Sequence, residues 1–71
     1  MNCIERFYDT YSKYRTKYDL RMHIVCTKDI CQLVLSRWSD NKIVLSIEAE
    51  NTEKMYRMAT KELLRRWEVS E

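Results

Sequence analysis

The chain has 71 residues, 13 of them basic and 11 acidic, for a net charge of +2, and it contains no glycine and no proline. Ordinary usage would supply about eight of those two residues; without them no phosphate-cradling loop of the Walker or dinucleotide type, and no nucleophile elbow, can be written. The small net charge is spread along the chain, unlike the basic excess of a dedicated nucleic-acid binder, and a hydrophobic content of 45% argues against disorder.

The first predicted element is a helix over roughly 3–17. Ile4, Phe7, Tyr8, Tyr11, Tyr14 and Tyr18 recur at helical spacing on one face, with Glu5, Arg6, Asp9, Lys13 and Lys17 mostly elsewhere. Asn2 and Glu5 have the spacing of a capping box. Two roles suit so aromatic a face: covering a sheet with hydroxyls at the rim, or stacking nucleic-acid bases.

The period then changes to two. Leu20, Met22, Ile24 and Cys26 alternate with Arg21, His23 and Val25. The run from Ile30 to Trp38 places Cys31, Leu33 and Leu35 on one side. The run from Lys42 to Glu48 does the same for Ile43, Leu45 and Ile47. Thr27-Lys28-Asp29 and Ser39-Asp40-Asn41 supply the turns. A two-residue turn at Lys28-Asp29 pairs Cys26 with Cys31, Ile24 with Leu33 and Met22 with Leu35, all on one face. In the second hairpin, a three-residue turn with Asn41 in the left-handed region sets Leu35 opposite Leu45 and Leu33 opposite Ile47. A two-residue turn would instead oppose Leu35 to Ser46, so the longer turn is expected.

The last predicted element is a helix over roughly 52–68, with Asn51 as its N-cap and Glu53 in its first turn. Met55, Tyr56, Ala59, Leu63 and Trp67 occupy about one third of its circumference. The whole chain, 1–71, then reads as one α+β domain of order α-β-β-β-α. It has a three-stranded antiparallel meander with both helices packed on one face. Such a small domain buries about 60% of its unfolded surface, which leaves no room for a deep catalytic cavity and makes self-association or a large partner an expectation.

This order and size resemble the double-stranded-RNA-binding domain over nearly the whole chain, and Ala59-Thr60-Lys61-Glu62-Leu63-Leu64 is similar to that family's Ala-rich, Lys-containing closing helix. The resemblance implies the two-layer fold. Two motif positions differ. The family's Gly-Pro-x-His loop would fall at Thr27-Lys28-Asp29, and its lysine cluster at Asn51-Thr52-Glu53-Lys54, where only Lys54 is basic.

Two surfaces are candidate contacts. On the open sheet face Trp38, Val34, Val25 and Val44 form an apolar patch near Arg21, His23, Gln32 and Lys42, and Trp and Arg are the residues most enriched at binding hot spots. Cross-strand pairing alone also calls for some apolar area there. On the last predicted helix, Lys54, Arg57, Lys61 and Arg65 recur at spacings of three and four. The stripe suits phosphate or an acidic protein surface, or it is a solvated face eased by Glu53–Arg57 and Glu62–Arg66 pairs.

No metal site, cofactor or enzyme activity is expected. Cys26 and Cys31 are separated by four residues rather than the two usual for zinc, and His23 points to the other sheet face, so both thiols read as small core residues. The single His23 has no nucleophile or orienting carboxylate, and nothing desolvates Glu48 and Glu50 as a catalytic pair.

Met1 to Arg6 hold no apolar run of signal-peptide length, and no segment nears the ~18 apolar residues of a membrane span. The expectation is a cytoplasmic protein, away from membranes, with its three cysteines reduced. Compact, glycine-free, charged domains of this kind resemble small proteins of phages and mobile elements. Many of those inhibit host enzymes or defence systems, anti-CRISPR proteins among them. The expected function is therefore protein binding, with RNA or DNA binding through the basic stripe of the last helix and the tyrosines of the first, or a homodimer on the open sheet face, as alternatives.

Overall fold

A computed structural model describes residues 2–68, apart from the side chains of Trp67 and Glu68; the expected burial of Trp67 lies outside the described residues. In chain order the elements are α1 (Cys3–Arg15), β1 (Leu20–Cys26), β2 (Cys31–Arg37), β3 (Ile43–Ala49) and α2 (Thr52–Leu63). The three strands form one antiparallel sheet in sequential order.

Both helices start at an asparagine. The Asn2 side chain accepts from the Glu5 N–H at 2.9 Å and donates to the Glu5 carboxylate at 3.1 Å; Asn51 accepts from the Lys54 N–H at 2.8 Å. Each satisfies one of the N–H groups that a helix start leaves without a partner. α1 ends two residues earlier than the periodicity predicts. The chain leaves it through a turn that finishes at Asp19, which has a positive φ of 55°. Without glycine in the chain, a short polar side chain takes the left-handed position. α2 is α-helical to Leu63 and continues as a π-helical turn over Leu64–Glu68.

The first hairpin has the expected register, with Cys26 opposite Cys31, Ile24 opposite Leu33 and Met22 opposite Leu35. The second also pairs Leu35 with Leu45 and Leu33 with Ile47, and Asn41 is left-handed at φ 58°. The route differs from the expected three-residue turn. Arg37 and Lys42 pair through the Arg37 N–H at 3.0 Å, and the Asn41 N–H returns to the Arg37 carbonyl at 2.9 Å. The turn therefore spans the four residues Trp38–Asn41. A bulge at Val44 absorbs the difference, since Ser36 pairs with Ile43 while Leu35 pairs with Leu45. The extra residue reverses the parity of the strand before it. Ile43, expected beside Leu45 under the helices, is instead 66% exposed.

The core lies between one sheet face and the two helices. Phe7, Leu33, Leu35, Met55, Ala59 and Leu63 are fully buried, and Phe7 stacks on Tyr11 with ring centroids 5.8 Å apart. Thr10 and Thr60 are buried polar residues whose hydroxyls donate to the carbonyls one turn back, at 2.9 and 2.8 Å, so neither is left unpaired. Cover thins along the edge strand β1, from buried Leu20 through half-buried Met22 and Ile24 to exposed Cys26. Cys26, expected in the core, is solvent-accessible because α1 and α2 cover the middle strand more fully than this far corner.

Candidate functional site: the open sheet face

The register assembles part of the expected patch. Arg21 pairs with Ser36 and His23 with Val34. Trp38 continues the line, its N–H donating to the Asp19 carbonyl at 3.0 Å. Trp38 is 59% exposed. Arg21 and Val34 are half-buried and His23 is exposed. Val44, expected in the patch, instead packs against the core from its bulge position, where the alternation of faces is interrupted. The bulge adds Ile43, which an uninterrupted alternation of Ile43, Leu45 and Ile47 could not reveal.

Arg21 organises one end of this face. Its guanidinium carbon lies 4.8 Å from the centre of the Trp38 ring, within the range of cation–π attraction. Its terminal nitrogen donates to the Asn41 side-chain carbonyl at 2.9 Å. Its Nε is buried without an acceptor, and Arg21 makes no ion pair among the described residues. The cation is thus held by an aromatic face and a neutral amide, with no carboxylate to neutralise it. Beside it Arg37 and Asp40 pair at 2.6 Å. The Lys42 N–H donating to Asp40, with Arg37 alongside, holds that carboxyl below the usual carboxylate range.

The α2 stripe lies on the other side of the molecule, since α2 covers the opposite sheet face. Lys54, Arg57, Lys61 and Arg65 are all exposed. Lys54 pairs with Glu50 at 3.7 Å, Arg57 with Glu53 at 2.6 Å and Arg65 with Glu62 at 2.7 Å. Among the described residues, Lys61 is the stripe cation without an ion pair. Arg57 and Lys61 line a groove of about 920 Å³ between the helices, with Arg6, Ile4, Thr60 and Leu64. The two candidate surfaces cannot form one contact. The α1 tyrosines are not a free platform: Tyr11 is buried against Phe7, and the Tyr8 hydroxyl meets that of Tyr56 at 3.4 Å.

No group of three or more His, Cys, Asp or Glu side chains that could hold a metal ion occurs among the described residues. No described helix is long and apolar enough to cross a membrane. No family model, curated protein or solved structure matches the chain.

Proposed function

We propose that this chain is a small non-catalytic protein-binding module that acts by occupying a partner's surface through its open sheet face. The observation that carries the reading is the pairing of exposed Trp38 with a guanidinium that has no carboxylate partner among the described residues. An exposed tryptophan beside an unneutralised, partly desolvated arginine has the chemistry of an interface anchor. The complementary partner is a protein surface that brings an apolar pocket to Trp38 and Ile43 and a carboxylate to Arg21. The likeness to small phage and mobile-element proteins extends the proposal to inhibition of a host enzyme or defence system, in the manner of an anti-CRISPR, within the cytoplasm.

The test is capture of partners from source-cell extract by the wild-type chain, with Trp38→Ala and Lys61→Glu in parallel, followed by titration of the purified partner. The reading expects a partner lost with Trp38→Ala and retained with Lys61→Glu; retention by Trp38→Ala refutes it. The alternative, RNA or DNA binding, draws on the exposed cations of α2, but carboxylates already hold three of the four. It expects affinity for duplex RNA that falls steeply with salt and is abolished by Lys61→Glu. A homodimer on the open face expects doubled mass by light scattering, lost in Trp38→Ala.

A further inference from the structure

The far end of the β1–β2 hairpin, remote from Arg21 and Trp38, carries two thiols in direct apposition. Cys26 and Cys31 are register partners, and both are free thiols. The next pair along, Thr27 and Ile30, is joined by the Thr27 N–H donating to the Ile30 carbonyl at 2.7 Å. In an antiparallel ladder such pairs alternate with pairs that exchange no backbone bond, and Cys26–Cys31 is one of the latter. In those pairs the Cα atoms stand about 4.5 Å apart with side chains at their closest, inside the range that a disulfide spans. As register partners, the two side chains project from the same face of the sheet.

We infer that Cys26 and Cys31 form a reversible cross-strand disulfide site, oxidised by exchange with a low-molecular-weight disulfide. Accessibility orders the steps. Cys26 is exposed and Cys31 buried. Cys26, as thiolate, attacks one sulfur of the incoming disulfide and expels the other half as a thiol, leaving a mixed disulfide on Cys26. Cys31 then loses its proton and attacks the Cys26 sulfur. The bond to the small molecule breaks, and the second half leaves as a thiol. The chain gives up two electrons and two protons, and the small disulfide is reduced to two thiols.

The surroundings set the character of the site. The hydrogen bond from Cys26, and then burial, push the Cys31 thiol up from its ordinary value. The neighbouring phenol of Tyr56 is pushed up to about 12, chiefly by burial and by its hydrogen bond with Tyr8, with both thiols adding to the shift, so it stays neutral. None of these neighbours supplies the positive charge that acidifies a peroxide-sensing cysteine. Closure of the ring speeds up as pH rises, because Cys31 must ionise to attack.

The experiment incubates the folded full-length protein with oxidised glutathione at mildly alkaline pH. Intact mass and a peptide map under non-reducing conditions are then read. The expected product has lost two hydrogens, holds a Cys26–Cys31 link within one chain, and reverts with dithiothreitol. Cys31→Ser should stop at one glutathione on Cys26, and Cys26→Ser should leave Cys31 reduced. Cys26→Ser changes an exposed side chain and so keeps the test independent of the buried position. Three results overturn the inference: glutathione retained on Cys26 of the unsubstituted chain, a Cys26 link between two chains on a non-reducing gel, or no reaction where a reference dithiol peptide is fully oxidised. Partner binding at Trp38 plays no part in the readout, so the two readings fail separately.

Discussion

Replacing Asn41 separates the backbone that sets the second hairpin from the side chain that holds Arg21. Asn41 is left-handed at φ 58°, and its side-chain carbonyl accepts from Arg21 at 2.9 Å. Asn41→Gly and Asn41→Ala both remove the amide, so the loss of that contact cancels between them. A side chain with a Cβ costs about 1–2 kcal/mol in the left-handed region. Alanine recovers less than ~1 kcal/mol through its stiffer unfolded chain. Asn41→Ala should therefore be less stable than Asn41→Gly by about 1 kcal/mol. With a urea slope of about 1 kcal/mol/M for so small a domain, its midpoint should lie lower by about 1 M. Urea unfolding followed by far-UV circular dichroism reads this directly. Equal midpoints, or a higher one for alanine, would refute the claim that a left-handed residue at 41 holds the four-residue turn and, with the Val44 bulge, the register of the open face.

Four further outcomes are expected. Trp38→Ala removes an exposed ring and one cation–π contact, so it should lower folding stability by less than about 1 kcal/mol; it should weaken the partner complex by at least ~2 kcal/mol, roughly thirty-fold, in calorimetric titration. Leu33→Ala empties a fully buried site and should lower stability by about 2–5 kcal/mol in the same urea experiment, a large share of what a domain this small possesses. Burial and the Tyr8 contact raise Tyr56 to about 12, and burial raises Tyr11 in the same direction. Both phenols are neutral in folded and unfolded chains below the ordinary tyrosine value. Above it the unfolded chain ionises first, so stability should fall as pH rises from about 10 through 12, less steeply in Tyr56→Phe. Asp40 is depressed, so its contribution should be intact above the ordinary carboxylate value and fade as pH falls below it; Asp40→Asn should flatten that limb of the stability profile.

Much of this architecture was legible because local chemistry and tertiary burial agree. The alternation of Leu33 and Leu35 against Leu45 and Ile47 admits one register that keeps all four covered, and Asn2 and Asn51 mark both helix starts. The bulge was not legible. Ile43, Leu45 and Ile47 alternate without a break, and only the geometry of a four-residue turn requires one extra residue on β3. The end of α1 was equally hidden, since the left-handed exit falls on Asp19 where a glycine would have announced it. At the candidate site, alternation alone places Arg21, His23, Val34 and Trp38 on one face. That Arg21 has no carboxylate partner among the described residues and rests on Asn41, twenty residues away, depends on three-dimensional neighbours that no local pattern encodes. The pairing of Cys26 with Cys31 is legible in the alternation, but the exposure of Cys26 follows from α2 lying over β2 and β3 and not over the edge strand β1.

The packing of α1 against α2 also governs when the chain can become a protein. Both hairpins close between sequence neighbours and can assemble early. Leu33 and Leu35, however, lie beneath Met55, Ala59 and Leu63, which are synthesised after the whole sheet. A nascent chain that has finished β3 presents a greasy sheet that α1 alone leaves largely uncovered. Its exposure to chaperones and to other nascent chains ends only when α2 emerges and settles beside α1.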